Sequence, residues 1–305
     1  MIAIIDADHL AMRNFYTFIS FTGSEGQEAG AVYGFLNSLQ TLCKQLNPYF
    51  VVICWGDSRS NLWRRELFPP YKAQRGETPT SFIQQTIVIK ELLKGIGLPQ
   101  ILCPTFEADD CIAAIVNDCK AANKEVAIVT GDHDLFQLIN DVKPNIFCYA
   151  PIKGAGYQKI DSAEVVKKYG IEPAQLPMFM ALKGERGDGV PGVPGIGKKR
   201  AREFLTNCSS LATQKLVANH QELIELNLQL IDLREISSND LTPSILQVMP
   251  HKYREIQVLS CLKQVGLTGA RSVLQNIREM MGLYAERQSR GAQTMDEILG
   301  ELENG

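Results

Sequence analysis

Residues 126–134 read Val-Ala-Ile-Val-Thr-Gly-Asp-His-Asp, a short apolar run that ends in two carboxylates. A strand that is buried on both faces of a parallel sheet has a continuous apolar run of this kind. In open parallel sheets, ligands bind beyond the carboxyl ends of the strands. The stretch therefore predicts a parallel α/β sheet, with Asp132 and Asp134 beside a functional pocket at the end of one strand.

Acidic residues recur at four more places in the first two thirds of the chain, mostly where an apolar run ends. They are Asp6 after residues 2–5, Asp57 after residues 51–54, Glu107, Asp109 and Asp110 at the start of a helical pattern, and Glu185 and Asp188 in a glycine-rich turn. Carboxylates in one pocket repel one another unless cations neutralise them, and oxygen-only ligands suit Mg²⁺ or Mn²⁺. We therefore expect one shared pocket that binds divalent metal.

Two polar neighbours of these acids are not expected to be ligands. His133 points away from its acidic neighbours if Asp132 and Asp134 share a face, so we expect it on the surface. Asp8, two residues after Asp6, is expected to cap a helix, with an outer-shell acid near the metal as the alternative.

The bulk composition is that of a globular protein. The chain has 305 residues and a net charge of −3, which allows one large domain or two modest ones. The eight cysteines form no Cys-x-x-Cys pair and no zinc-ligand spacing with the four histidines. The chain shows no signal peptide and no apolar run of membrane-spanning length, so we expect a cytoplasmic protein with reduced thiols and no membrane contact.

The sequence pattern predicts two structured regions and a tail. Over the first half of the chain, apolar runs alternate with helical patterns, and after about residue 170 the pattern is helical. Strands are predicted at 2–5, 50–54, 100–102, 126–129 and 146–149, and helices at 30–46, 82–94, 107–122, 176–183, 198–205 and further along 211–285. We place the domains at 1–170 and 171–285, followed by a polar tail at 286–305 that is predicted to be partly disordered.

The segment 57–79 fits neither the strand nor the helix period. It is basic, with Arg64 among its cations, and it also carries Trp63, Phe68 and Tyr71. Aromatic and basic side chains together suit single-stranded nucleic acid, through base stacking and phosphate contacts. A surface loop whose aromatic residues pack locally remains the alternative.

The glycine-rich turn at 184–197 precedes a basic helix. Residues 192–198 match the start of a phosphate-binding P-loop, but Lys199 stands where that loop needs serine or threonine, and no strand precedes it. The better interpretation is a helix–hairpin–helix whose Gly195 and Gly197 N–H groups bind a backbone phosphate. Further contacts would come from Lys198, Lys199, Arg200 and Arg202. A plain glycine-rich connection between helices is the alternative.

Together these residues resemble the 5′-nuclease family. The resemblance is carried by Asp6, Asp57, Tyr71-Lys72-Ala73-Gln74-Arg75, Glu107-Ala108-Asp109-Asp110, Thr130-Gly131-Asp132-His133-Asp134-Leu135 and the turn 184–197. That family includes the 5′–3′ exonuclease domains of bacterial DNA polymerase I and the flap endonucleases of phages and cells. The match spans about residues 1–236. It implies a mostly parallel, PIN-like nuclease core, a helical arch at about 58–95, and a helix–hairpin–helix at about 176–206 that binds duplex DNA.

The resemblance also implies two Mg²⁺ sites, at which Mn²⁺ can substitute. The inner site would use Asp6, Asp57, Glu107, Asp109, Asp132 and Asp134, and the outer site Asp110, Glu185 and Asp188. Lys72 would lie near the scissile phosphate with Arg75 as its companion, and Tyr71 would stack on the terminal base.

The chain departs from the family pattern in one place. The usual Gly-Asp-x-x-Asp-Asn is here Gly184-Glu185-Arg186-Gly187-Asp188-Gly189. Glutamate lengthens the carboxylate by one methylene, and glycine replaces the asparagine side chain. We therefore expect the outer metal site to be weak.

The resemblance implies a stand-alone, Mg²⁺-dependent 5′–3′ exonuclease or flap endonuclease that acts on DNA in replication or repair, with a replication protein as a candidate partner. Two alternatives remain: a ribonuclease on the same core, and a non-catalytic binder of branched DNA. The nine acids and Lys72 argue against the binder, because a pocket that repels phosphate would not help binding.

Overall fold

The computed structural model describes residues 1–152, 156–236, 241, 254–267, 276 and 279. The predicted tail at 286–305 and part of the predicted helical stretch 211–285 lie outside these residues. No helix within the described ranges is long and apolar enough to cross a lipid bilayer. The domain boundary at residue 170 stays a prediction.

A six-stranded sheet forms the centre of the protein, in the order β3-β2-β1-β4-β5-β6. The strands are β1 Ile2–Asp6, β2 Phe50–Trp55, β3 Gln100–Leu102, β4 Val126–Val129, β5 Ile146–Pro151 and β6 Tyr157–Ile160. Strands β1 to β5 are parallel, which confirms the predicted sheet, and β6 pairs with β5 in the antiparallel direction. The sequence did not predict β6, because its two central residues are exposed and polar and the strand has no apolar run.

Eleven helices are assigned in the described ranges. They are α1 Ala7–Thr17, α2 Gly30–Leu46, α3 Trp63–Leu67, α4 Thr80–Ile96, α5 Ala108–Ala121, α6 Ser162–Tyr169, α7 Leu176–Lys183, α8 Lys198–Leu205, α9 Leu211–Ala218, α10 Gln221–Ile231 and α11 Glu255–Gln264. The predicted helices 30–46, 176–183 and 198–205 are confirmed at both ends. The helix predicted at 82–94 is two residues longer at each end, since it begins at Thr80 and ends at Ile96. The next residue, Gly97, caps the helix in the left-handed conformation.

Helices cover both faces of the sheet, so all five residues of β1 are buried. Ile2 and Ile4 pack on the side of α5 and α7, whereas Ala3 and Ile5 pack on the side of α1, α2 and α4. Burying one isoleucine side chain fully is worth about 1.5–3 kcal/mol. This burial on both faces is why the strands read as unbroken apolar runs rather than alternating ones.

The order of the strands determines where a ligand can enter. From β1 the chain moves outward through β2 to β3, and then returns to place β4 on the other side of β1. The connections therefore diverge between β1 and β4, and a crevice forms outside the carboxyl ends of these two strands. Asp6 ends β1, and Asp132 follows β4 by three residues.

Candidate functional site

Asp6 joins the two strands at this crevice. Its Oδ1 accepts a hydrogen bond from the backbone N–H of His9 at 3.1 Å, which caps α1, and its Oδ2 accepts one from the Thr130 hydroxyl at 2.7 Å. Burial raises the pKa of Asp6 to about 7, even though both hydrogen bonds lower it. The neighbouring charges of Asp8 and Asp132 raise it further. Asp6 is thus held in place by two hydrogen bonds, and too little positive charge lies near it to offset its burial and its acidic neighbours.

The turn after β4 holds the next two acids. Thr130 Oγ1 accepts from the Asp132 N–H at 2.9 Å, and Asp132 Oδ1 accepts from the Asp134 N–H at 3.0 Å. Burial, followed by the charges of Asp132, Asp188 and Glu185, raises the pKa of Asp134 to about 7. The acid pair predicted from residues 126–134 therefore lies in the crevice and is close to the acids of the 184–189 turn.

Helix α5 sends its two adjacent aspartates in different directions. Burial, then the charges of Asp132 and Asp6, raises the pKa of Asp109 well above its usual value, so Asp109 lies on the crevice side. Asp110 is fully buried and accepts two hydrogen bonds from Arg64, at 2.7 and 2.6 Å. Neighbouring positions on a helix differ by about 100° in direction, because one turn takes about 3.6 residues. Asp110 is therefore held away from the crevice acids, although it was expected at the outer metal site.

Asp57 is more open to solvent than the acids around β1 and β4. Its carboxylate accepts from the backbone N–H groups of Ser58 at 2.6 Å and Thr105 at 2.9 Å. Burial alone would raise its pKa, but these two bonds and one from Asn61 outweigh that effect and lower the pKa. Asp57 is an ionised acid at the rim.

The basic segment folds down onto the acids. Lys72 Nζ forms an ion pair with Glu107 and lies 3.6 Å from Asp188 Oδ2, and Arg75 forms an ion pair with Asp188. Lys72 has the positive φ of 52° that a non-glycine residue rarely adopts, and its N–H donates to the Asp188 carbonyl at 2.8 Å. Such a backbone conformation costs about 1–3 kcal/mol and persists only where surrounding contacts hold it. The contacts to Glu107 and Asp188 supply that support.

Arg64 and Tyr71 lie elsewhere than expected. Both were expected to contact DNA, but they are only 2% and 4% exposed. Arg64 Nε donates to the Leu230 carbonyl at 2.8 Å, and the Tyr71 hydroxyl donates to Glu107 Oε2 at 2.7 Å. In this structure neither side chain is free to stack on a base or to reach a phosphate, because Arg64 is bound to the buried Asp110 and Tyr71 to the partly buried Glu107.

The turn that departs from the family pattern is packed against the basic segment. Glu185 Oε2 accepts from Lys183 Nζ at 2.5 Å. Gly189 has a φ of 75°, and a Cβ at that position would lie 2.8 Å from the Pro70 carbonyl oxygen. The lack of a side chain at Gly189 therefore lets the turn approach residue 70, in addition to removing the asparagine amide of the family pattern.

The predicted acids line two adjoining clefts. An inner cleft of about 450 Å³ is lined by Asp6, Asp57, Glu107 and Asp109, and an outer cleft of about 590 Å³ by Asp134, Glu185 and Asp188. Asp132, His9 and Arg75 line both, whereas Asp110 lines neither. Within the part of the chain that the structure describes, no three Asp, Glu, His or Cys side chains converge on one point as a metal would require. Three of these acids, Glu107, Asp188 and Glu185, instead form ion pairs with lysine or arginine.

Sequence reasoning missed two residues of the first helical turn. Asp8 was expected to cap a helix, but Asp6 is the cap, and Asp8 Oδ2 instead accepts from the Gly56 N–H at 2.7 Å. His9 Nδ1 accepts from the Gly131 N–H at 3.2 Å, and a Cβ on Gly131 would lie 2.4 Å from the imidazole. The available signal was their position directly after a strand-end aspartate.

The hairpin between α7 and α8 exposes its basic residues. Gly195 takes a φ of 81°, and Arg200 Nη1 donates to its carbonyl at 2.8 Å. Lys198 and Lys199 are exposed beside it. Gly197 is the residue before α8, and it has no side chain to cover the first N–H groups of the helix. A Cβ at this position would meet open space. This end of the helix can therefore accept an anion.

Comparison with known families agrees with this geometry. A family model described as the N-terminal resolvase-like domain of 5′-3′ exonucleases matches residues 1–170. A 5′-3′ exonuclease of Aquifex aeolicus is 31% identical over 279 residues, which cover 86% of this chain and 94% of that protein. The thermostable DNA polymerase I of Thermus aquaticus is 37% identical over 210 residues, which cover 69% of this chain but only 24% of the polymerase.

Two solved structures share the fold. The T5 D15 protein, co-crystallised with metal ions, aligns with a TM-score of 0.61 at 18% identity, covering 92% of this chain and 98% of that one. Flap endonuclease-1 from Methanococcus jannaschii aligns with a TM-score of 0.62 at 17% identity, covering 94% and 93%.

Proposed function

Because the chain belongs to the 5′–3′ exonuclease family, we propose that it is a divalent-metal-dependent nuclease that hydrolyses DNA at or near 5′ ends, in replication or repair. The observation that supports this most is the crowding of acids at the β1/β4 crevice. Burial and like charges raise the pKa values of Asp6, Asp109 and Asp134 together. A cation bound among these acids would relieve that repulsion.

The donor atoms fit Mg²⁺ or Mn²⁺, since all are carboxylate oxygens. Asp6, Asp57, Glu107, Asp109 and Asp132 line the inner cleft and would hold an inner ion. Asp134, which was expected at the inner site, lines the outer cleft with Glu185 and Asp188, and these three would hold an outer ion. Bound divalent ions would lower the pKa of a water molecule and offset charge on the phosphate. The buried ion pair of Asp110 with Arg64 leaves it a positioning role, in which it orients α5 and its neighbour Asp109.

The cations of the arch act on the same pocket. Burial would lower the pKa of Lys72, but the charges of Glu107 and Asp188 outweigh burial and raise it, so the ammonium stays charged. When a phosphate enters, Lys72 and Arg75 would exchange their carboxylate partners for it. A fixed cation in a site shielded from water stabilises charge that develops on the phosphate in the transition state. Glu107, released from Lys72, would then be free to bind metal.

The proposal is tested by mapping the products from a 5′-labelled flap duplex with Mg²⁺. Cleavage that releases mononucleotides indicates an exonuclease, and release of the intact flap indicates an endonuclease. A matched RNA flap distinguishes the ribonuclease alternative. If the protein binds the DNA flap but leaves it intact with both Mg²⁺ and Mn²⁺, it is a binder of branched DNA and the proposal is wrong.

Changing the hairpin charges should weaken binding without affecting sequence preference. The double variant Lys199→Ala, Arg200→Ala is expected to bind all duplexes less tightly and to lower the salt slope by about one unit per lost phosphate contact. Arg200 also donates to the Gly195 carbonyl, so its loss could change the shape of the hairpin as well as its charge. The single variant Lys199→Ala removes charge without removing that hydrogen bond. An unchanged slope in both variants would place the duplex site elsewhere.

The outer metal site should be the weaker one. Mg²⁺ demands near-octahedral geometry, and Glu185 has a longer reach than aspartate and is paired with Lys183. We expect Mn²⁺ calorimetry on the DNA-free protein to show one tight ion and one weak ion. Glu185→Asp should tighten the weak step, whereas Gly189→Asn is unsuitable because its Cβ would collide with the Pro70 carbonyl. Two equally tight ions in the unaltered protein would contradict this assignment.

A further inference from the structure

Lys168, in the last turn of α6, borders the outer cleft without an acidic partner. Its Nζ lies 2.7 Å from His133 Nε2, and it also lies 5.3 Å from the ring centre of Tyr169 and 5.7 Å from that of Phe136. Among the described residues, no carboxylate forms an ion pair with it. Burial lowers the pKa of Lys168, as expected for a cation that lacks a counter-charge. The lysine is therefore held beside aromatic rings, has no acidic partner among the described residues, and stays accessible to a ligand from solvent.

The preceding residue provides an internal comparison. Lys167 is 75% exposed and pairs with Glu164 at 3.1 Å, one helical turn away. It does not line the outer cleft, whereas Lys168, His133 and Tyr169 all do. Two adjacent lysines on one helix thus have different surroundings, and only one of them is held at the cleft.

The basic surface of the hairpin continues to Lys168. Lys198 and Arg202 of α8 line the same cleft. A Cβ on Gly170 would lie 2.9 Å from Arg202 Cδ, so the end of α6 packs directly against α8. On the other side, His133 stands between the crevice acids Asp132 and Asp134 in the sequence. Lys168 therefore shares one cleft with Lys198 and Arg202 of α8 and with the acids Asp132 and Asp134.

We propose that Lys168, positioned by His133 and Tyr169, forms a subsite for one backbone phosphate of the DNA, an inference that rests on the nuclease function proposed above. An ammonium group has three donors, of which His133 takes one, so two remain for phosphate oxygens. The phosphate would supply the negative charge that Lys168 lacks. Phosphate contacts fix the position of the strand and read no sequence. The subsite would thus guide the backbone from the hairpin towards the acids.

The test compares Lys168→Met with Lys167→Met, because methionine retains an unbranched apolar side chain and removes the charge. Affinity for a 5′-flap duplex is measured over a salt series with Ca²⁺ in place of Mg²⁺. We expect Lys168→Met to weaken binding by roughly threefold to tenfold near 0.1 M salt and to lower the salt slope by about one. Lys167→Met should leave both values nearly unchanged.

Equal effects of the two variants would show that only net charge matters, and the subsite would be wrong. An unchanged salt slope in Lys168→Met would show that Lys168 contacts no phosphate, and the subsite would again be wrong. Cleavage of the same flap by the unaltered protein with Mg²⁺ separates this failure from failure of the proposed function. If the unaltered protein binds and cleaves while Lys168→Met behaves like Lys167→Met, the nuclease assignment stands without the subsite. If the unaltered protein neither binds nor cleaves, both proposals fail.

Discussion

Asp132→Asn is expected to reduce single-turnover cleavage by roughly 10³-fold or more, the upper end of the range for one preorganised charged group. Among the acids that the structure describes, only Asp132 lines both clefts. Its charge raises the pKa values of Asp6, Asp109 and Asp134. Removing that charge takes an oxygen ligand from the pocket and weakens its hold on metal. It also removes repulsion towards phosphate, so the affinity for DNA should stay the same or increase.

The measurement is a single-turnover time course at saturating Mg²⁺, together with DNA binding in Ca²⁺. Asp141→Asn is the matched control, because Asp141 is exposed and its carboxylate accepts long hydrogen bonds from the Ser162 N–H, at 3.4 and 3.3 Å. Near-normal turnover of Asp132→Asn would show that the crevice acids do not form the metal site.

Lys72→Ala should lower the single-turnover rate by roughly 10²-fold or more while changing DNA affinity much less. Lys72 is only 9% exposed and touches two of the predicted ligands, Glu107 and Asp188. We expect a cation buried this close to the acids to contact the reacting phosphate rather than phosphates further along the duplex. Its loss also leaves Glu107 with Tyr71 and Arg64 as partners, so the acid is not left unpaired.

Comparing rate with affinity distinguishes this role from simple phosphate binding. Lys94→Ala serves as the control, since Lys94 is an exposed lysine in the last turn of α4. A fall in affinity at an unchanged saturating rate would make Lys72 a phosphate contact and nothing more. Equal losses of rate in both variants would point to general charge rather than to the position of Lys72.

Much of this arrangement was already determined by the sequence. The runs at 2–5, 50–54 and 126–129 predict buried parallel strands, because they are apolar without alternation and too short for a typical helix. Acids placed directly after such runs lie at one edge of the sheet, whatever the order of the strands. The bounds of α7 and α8 could also be predicted, since the glycine-rich turn interrupts the helical period on both sides.

Only the tertiary structure decided which acid faces which partner. Asp109 and Asp110 are adjacent and chemically identical, yet one faces the crevice and the other is paired with Arg64, which is 46 residues away in the chain. The same is true of Arg75 and Asp188, which are 113 residues apart, and of Gly189, which must be small because Pro70 lies against it. Hydrophobic period and turn residues are local properties, so the sequence expresses them directly. Ion pairs and close backbone contacts depend on how segments far apart in the sequence pack together, and a local sequence pattern does not predict that packing.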